Sequence, residues 1–138
     1  TIGGHFPTIE YEKTLQLMPE LDTVVTHEGE ITMLKLFKNL TNLDKWFEIK
    51  GIAFRRKGKV VFTSPRKLIE NLDSLPFPLR GGKKRKYRGI ESASILASRG
   101  CYYNCSFCSI RQFYLDAPGS KRRSRSGSSL TLNLEPEN

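Results

Sequence analysis

All three cysteines of the chain fall within one eight-residue stretch, Cys101-Tyr-Tyr-Asn-Cys105-Ser-Phe-Cys108. Thiolates are soft ligands that suit zinc, copper(I) and iron-sulfur clusters, so three of them at this spacing point first to a cradle for a metal or cluster. Three ligands are one short of a closed tetrahedral site. A four-iron cluster held by three cysteines keeps one iron open to an outside ligand, whereas structural zinc takes a fourth Cys or His. The two histidines, His5 and His27, lie far from the cysteines in sequence. The plainer alternative is three reduced, buried cysteines that act as small apolar residues.

The C-x3-C-x2-C spacing, with the aromatic Phe107 directly before the last cysteine, resembles the signature of the radical S-adenosylmethionine (SAM) enzymes. The resemblance implies a loop after the first strand of a (β/α) barrel, in which Cys101, Cys105 and Cys108 hold a 4Fe-4S cluster. It further implies that SAM chelates the open iron, that Phe107 lies beside the adenine, and that an electron donor such as flavodoxin or ferredoxin drives reductive cleavage of SAM against a small-molecule or unknown substrate.

A second resemblance covers the N-terminal half. Gly3-Gly-His-Phe-Pro-Thr8, Asp22-Thr-Val-Val-Thr-His-Glu28-Gly-Glu30, Gly51-Ile-Ala-Phe-Arg55 and Asn71-Leu-Asp-Ser-Leu-Pro-Phe-Pro78 are similar to the distal half of the cobalamin-binding domain that precedes the barrel in one class of radical SAM proteins. On that pattern cobalamin is a further cofactor, with methyl transfer or rearrangement as its reaction. Gly3 and Gly4 would line its nucleotide tail, and Glu28, Gly29 and Glu30 would form the neighbouring loop. The physical part of the argument is that paired glycines at a strand end admit a ligand close to the backbone, and that a glycine-containing strand-to-helix loop offers amide donors. His5 and His27 are expected to be ordinary loop histidines.

The elements that must position these residues follow from periodicity. Ile2 to Thr8 is expected to be a strand end turning through glycines, with Thr8 capping a helix from Glu10 to Met18 whose face is Tyr11, Leu15 and Met18. The β-branched run Leu21–Thr26 predicts a buried strand, His27–Glu30 a loop, and Ile31–Leu40 a second helix with Leu34, Phe37 and Leu40 on its apolar face. Ile49–Arg55 and Lys59–Thr63 flank Arg56-Lys-Gly58 as a β-hairpin. Pro76 and Pro78 favour an extended connector. Glu91–Ser98 is expected to deliver the cysteine loop as a strand, and Ser109–Leu115 to begin the next helix.

The alternation of elements makes the fold class α/β, and the two resemblances imply the distal half of a Rossmann-like cobalamin-binding domain followed by the start of a radical SAM (β/α) barrel. The expected divisions are a partial α/β domain with its hairpin over residues 1–78, a basic linker over 79–90, the start of the barrel domain over 91–118, and a disordered tail over 119–138. A whole barrel takes about 200 residues or more, so the 138-residue chain, which opens on Thr1, is expected to be a piece of a longer protein, too short to be active alone.

Net charge is +9, but it is unevenly spread. Residues 1–78 carry 11 Lys/Arg against 10 Asp/Glu, whereas residues 79–125 carry 12 against 2. Basic runs without interleaved aromatics on a nucleic-acid module are expected to be solvated loops, so nucleic acid is not the expected partner. No signal peptide or long apolar run is present, and an odd number of clustered cysteines does not suit a secreted disulfide framework, so the expected setting is cytoplasmic, without a membrane. Two rivals remain open: a non-catalytic remnant or cluster-carrying module, and a zinc-stabilised basic nucleic-acid-binding protein.

Overall fold

Short β-branched runs build a four-stranded sheet in a computed structural model that describes residues 1–79, 85–92, 96, 98–103, 105–118 and 124–126. Its strands are β1 (Ile2–Gly3), β2 (Thr23–Val25), β3 (Ile52–Arg56) and β4 (Lys59–Phe62), in that order across the sheet. β1 runs parallel to β2, while β2–β3 and β3–β4 are antiparallel, with Val24 opposite Ala53 and Val25 opposite Ile52. The architecture is mixed α/β, as expected.

Alternation of side chains along the strands divides the core into two layers. On one face Val25, Ile52 and Phe54 pack against Leu36, Trp46 and Ile49. On the other, Val24 and Ala53 pack against Leu15, with Ile2, Tyr11, Leu21 and Val60 around them. Each fully buried large side chain in these layers, Phe54, Leu15 and Ile52 among them, contributes about 1.5–3 kcal/mol. Arg55 fixes the path between the layers, because its guanidinium donates to the carbonyls of Leu15, Pro19 and Leu21 and so ties the turn before β2 to β3.

The helices differ from expectation in instructive ways. α1 (His5–Ile9) begins where a strand end was expected, and α2 (Tyr11–Leu17) follows after a break at Glu10. Thr8 consequently does not cap a helix. It lies inside α1, where its hydroxyl donates to the Gly4 carbonyl at 2.7 Å and accepts from the His27 amide at 2.9 Å. Leu15 and Tyr11 face the core as expected, but Met18 is exposed. α3 (Glu30–Lys38) turns Thr32 and Leu36 to the sheet, leaving Leu34, Phe37 and Leu40 exposed. The buried Thr32 hydroxyl donates to the Lys50 carbonyl at 3.1 Å, which gives a polar residue a reason to face inward. α4 (Leu43–Trp46) is capped by Asn42 and swings Trp46 edge-on to Phe54, at 5.5 Å between ring centroids.

The β3–β4 hairpin forms as expected, with both Lys57 (φ 48°) and Gly58 (φ 75°) left-handed, the geometry of a two-residue type I′ turn. After the connector, the stretch expected as a basic linker contains a second hairpin, β5 (Arg85–Tyr87) with β6 (Ile90–Ser92), again turning through two left-handed residues, Arg88 and Gly89. Most of the first basic run, residues 80–84, lies outside the described residues, as do residues 93–95 and 97. The strand expected over Glu91–Ser98 is instead divided between β6 and β7 (Ser98–Gly100). β7 leads into the cysteines, and α5 (Ser109–Leu115) follows them. β7 pairs antiparallel with β8 (Ser124–Ser126), which falls within the stretch expected as a disordered tail. Among the described residues no helix is long and apolar enough to cross a membrane.

Candidate metal centre

Gly100, at φ 91°, turns the chain out of β7 directly into Cys101. Cys101 and Cys108 are half-buried, Cys105 is exposed, and all three are free thiols. The Cys108 amide donates to the Cys105 carbonyl at 3.2 Å, closing a turn that ends at the residue just before α5. Cys105 and Cys108 line one open depression of about 250 Å3 together with Ser106, Arg111, Gln112, Leu115 and Asp116. Cys101 is not among its walls, and the described residues contain no group of three or more His, Cys, Asp or Glu side chains placed to hold a metal.

The donor set nevertheless fits a three-thiolate cluster in its chemistry: three soft ligands in a short loop, reduced, two of them on a common surface. The loop as folded is not closed around a metal. That is the ordinary behaviour of sites whose ligands are gathered by the metal they bind. Phe107 is 90% exposed, so its ring is presented to solvent above the same loop.

The N-terminal residues expected to meet cobalamin are placed variously. Gly3 sits in β1 against β2, and a side chain there would stand 3.1 Å from the Val25 carbonyl oxygen, so close strand approach is enough to explain it. Gly4 (φ 105°) leaves β1 with open space around it. Gly29 precedes α3 with Val25 3.2 Å from where its Cβ would be, again a packing constraint. Glu28 is buried and Glu30 opens the first turn of α3. Neither acid faces an empty loop.

Both are held by Arg99, the residue two before Cys101. Its guanidinium donates to Glu28 at 3.2 Å and to Glu30 at 2.6 Å, and Glu28 also accepts from the Ile69 amide at 2.6 Å. Burial works against the Arg99 charge, but the hydrogen bonds and charges of Glu30 and Glu28 outweigh it and hold the group above its ordinary value. A second contact lies beyond the cysteines. Phe113 of α5 is buried with its ring 4.5 Å from the His5 ring and 5.6 Å from the His27 ring, and its carbonyl accepts from His27 Nδ1 at 2.7 Å. That bond fixes the proton of a neutral His27 on Nδ1. His27 itself is left-handed, at φ 55°. His5 thus opens α1 where a loop position was expected, and packs on the segment that follows the cysteines, while the loop residue His27 both packs on it and hydrogen-bonds it. The sequence alone does not single out Arg99, which stands apart from both basic runs, until a buried acid 71 positions earlier is brought against it.

The chain matches no protein-family model. It is 36% identical over 115 residues to the anaerobic magnesium-protoporphyrin IX monomethyl ester cyclase of Synechocystis sp., covering 81% of this chain and 23% of that protein. It is 37% identical over 111 residues to an uncharacterized methyltransferase of Pyrococcus horikoshii, covering 78% of this chain and 24% of that protein. It is also 30% identical over 141 residues to the cytidylyl-2-hydroxyethylphosphonate methyltransferase of Streptomyces wedmorensis, with 78% and 26% covered. The chain thus spans about a quarter of the length of these curated relatives.

Proposed function

We propose that this chain carries the cluster loop of a radical SAM enzyme, with Cys101, Cys105 and Cys108 as the three ligands of a 4Fe-4S cluster. Its relatives include an anaerobic cyclase and two methyltransferases, and the kinship supports a radical SAM function in general. The observation that carries the finer assignment is the loop itself: three free thiols between β7 and α5, two of which already share one open depression. When bound, the cluster supplies the electron that cleaves SAM to methionine and a 5′-deoxyadenosyl radical, drawn from a donor such as flavodoxin or ferredoxin. The chain's own part is to hold and shield. Its cysteines anchor the metal, and the exposed Phe107 ring offers an apolar face for the adenine of SAM.

A cobalamin-dependent variant, methyl transfer or rearrangement, would use the backbone at Gly4, where there is room for a ligand; Gly3 is enclosed by β2, and Glu28 and Glu30 are engaged by Arg99. The test of the cluster assignment is anaerobic reconstitution with iron and sulfide. The chain is expected to take up about four irons and to turn brown, as a 4Fe-4S centre requires, and each of Cys101→Ala, Cys105→Ala and Cys108→Ala should lose most of that iron. Stoichiometric zinc that iron does not displace, with no visible chromophore, would refute the assignment and favour a zinc-stabilised protein.

A further inference from the structure

The cysteine segment is gripped at two points, one ahead of the first cysteine and one behind the last. Ahead of it, Arg99 is tied to Glu28 and Glu30. Behind it, Phe113 is seated by His5 and His27, and its carbonyl is hydrogen-bonded to His27 Nδ1. Between these points Cys105 and Phe107 are exposed. The gripping residues come from two places: the start of α1, which gives His5, and the β2–α3 loop with the start of α3, which gives His27, Glu28 and Glu30. Those two places are themselves joined, because the Thr8 hydroxyl accepts from the His27 amide and donates to the Gly4 carbonyl.

We propose that this arrangement is a two-point brace that sets the spacing of the thiols for their metal, with Arg99 and His27 as positioning residues. The inference rests on the assignment of a cluster to the three cysteines. A loop whose ligands do not converge until metal arrives loses chain entropy on loading, and pinning both of its ends in advance lowers that loss and slows release. Residues that orient ligands without touching the metal commonly have large effects on its retention. The left-handed backbone of His27 fits the same role, since that conformation is uncommon for a non-glycine residue and here aims the ring at the Phe113 carbonyl.

The brace is tested on the 138-residue chain with two breaking variants and two conservative ones. Because Arg99→Ala alone would take a charge partner from the buried Glu28, the first breaking variant is Arg99→Ala with Glu28→Gln, which removes both charges while keeping an acceptor for the Ile69 amide. The second is His27→Gly, which tolerates the left-handed backbone and lacks the ring. Arg99→Lys and His27→Asn are the conservative counterparts: lysine can still reach an acid, and the asparagine amide nitrogen can donate as Nδ1 does, in a conformation asparagine accepts. In the unloaded chain, amide hydrogen exchange should quicken over residues 98–101 in the first variant and over 109–115 in the second. After reconstitution, both should surrender iron to a chelator faster than the wild type by about ten-fold or more, and the conservative variants should recover most of the difference.

Equal exchange and equal iron loss in wild type and breaking variants would overturn the brace. So would conservative variants that behave like the breaking ones, since that would show general loosening. Should the wild-type chain take up no iron, the cluster assignment falls, and exchange alone then decides: unchanged exchange overturns the brace, and localised quickening upholds it as a brace of the thiol loop.

Discussion

A carboxylate as enclosed as Glu28 is tolerated only when it is paired and hydrogen-bonded. Glu28 meets both conditions, through Arg99 and the Ile69 amide, whereas Glu30 meets the same arginine from a position that is 39% exposed. The two acids should therefore differ sharply when removed. Glu28→Ala removes an acceptor of the Ile69 amide and a buried charge partner of Arg99 and is expected to cost about 3 kcal/mol of stability. Glu30→Ala is expected to cost under about 1 kcal/mol, because its charge stays in contact with water and its loss leaves no enclosed group behind. Urea unfolding of the two variants at neutral pH measures this, and equal losses would show that the burial of Glu28 carries no energetic weight. Arg99, held above its ordinary range, stays charged at any pH at which the protein is studied, so the pairing is not weakened by raising the pH through the neutral and mildly alkaline range.

α3 shows how far an element can be read from its sequence. Its sequence offers two opposite faces, Leu34 and Phe37 on one and Thr32 and Leu36 on the other, and apolar content alone favours the first. The structure buries the second, because Thr32 and Leu36 together fit between β2 and the Lys50 carbonyl. Leu36→Ala is accordingly expected to cost about 2–5 kcal/mol, while Phe37→Ser, at a position 71% exposed, should stay within about 0.5 kcal/mol. Thermal unfolding compares them, and a large loss from Phe37→Ser would restore the face expected from periodicity. Where local signals agree, the elements were legible: Thr23–Val25 is β-branched and buried on both faces, and Lys57-Gly58 is a two-residue turn between apolar runs. The β5–β6 hairpin was not, because Arg88-Gly89 lies among lysines and arginines that read as a solvated linker. The break at Glu10 was hidden for a different reason: Phe6 and Pro7 carry no helix signal of their own, and α1 is stabilised by its packing against α5.

Across the whole molecule, the site divides the same way. The identity of the three thiols is local information, present in their spacing. Their surroundings are not, because the residues that grip the loop are separated from it by tens of positions, and such pairings leave no periodic trace in the sequence. The geometry also bears on what this chain can do with a cluster once loaded. Cys105 and Cys108 line an open depression, and the Phe107 ring is almost wholly in solvent. Reductive cleavage of SAM needs its sulfonium held in line with the metal and screened from water, and such positioning accounts for several kcal/mol of a barrier. These residues supply one wall for that purpose. The reconstituted 138-residue chain given SAM and dithionite is therefore expected to form at most a trace of 5′-deoxyadenosine, no more than a Cys105→Ala control, even with its iron fully loaded. Chromatography of the quenched reaction makes the comparison. Repeated turnover would mean that Phe107 and the depression beside Cys105 and Cys108 close over SAM far more completely than their exposure in the ligand-free fold suggests, and that the loop supplies more than one wall of the site.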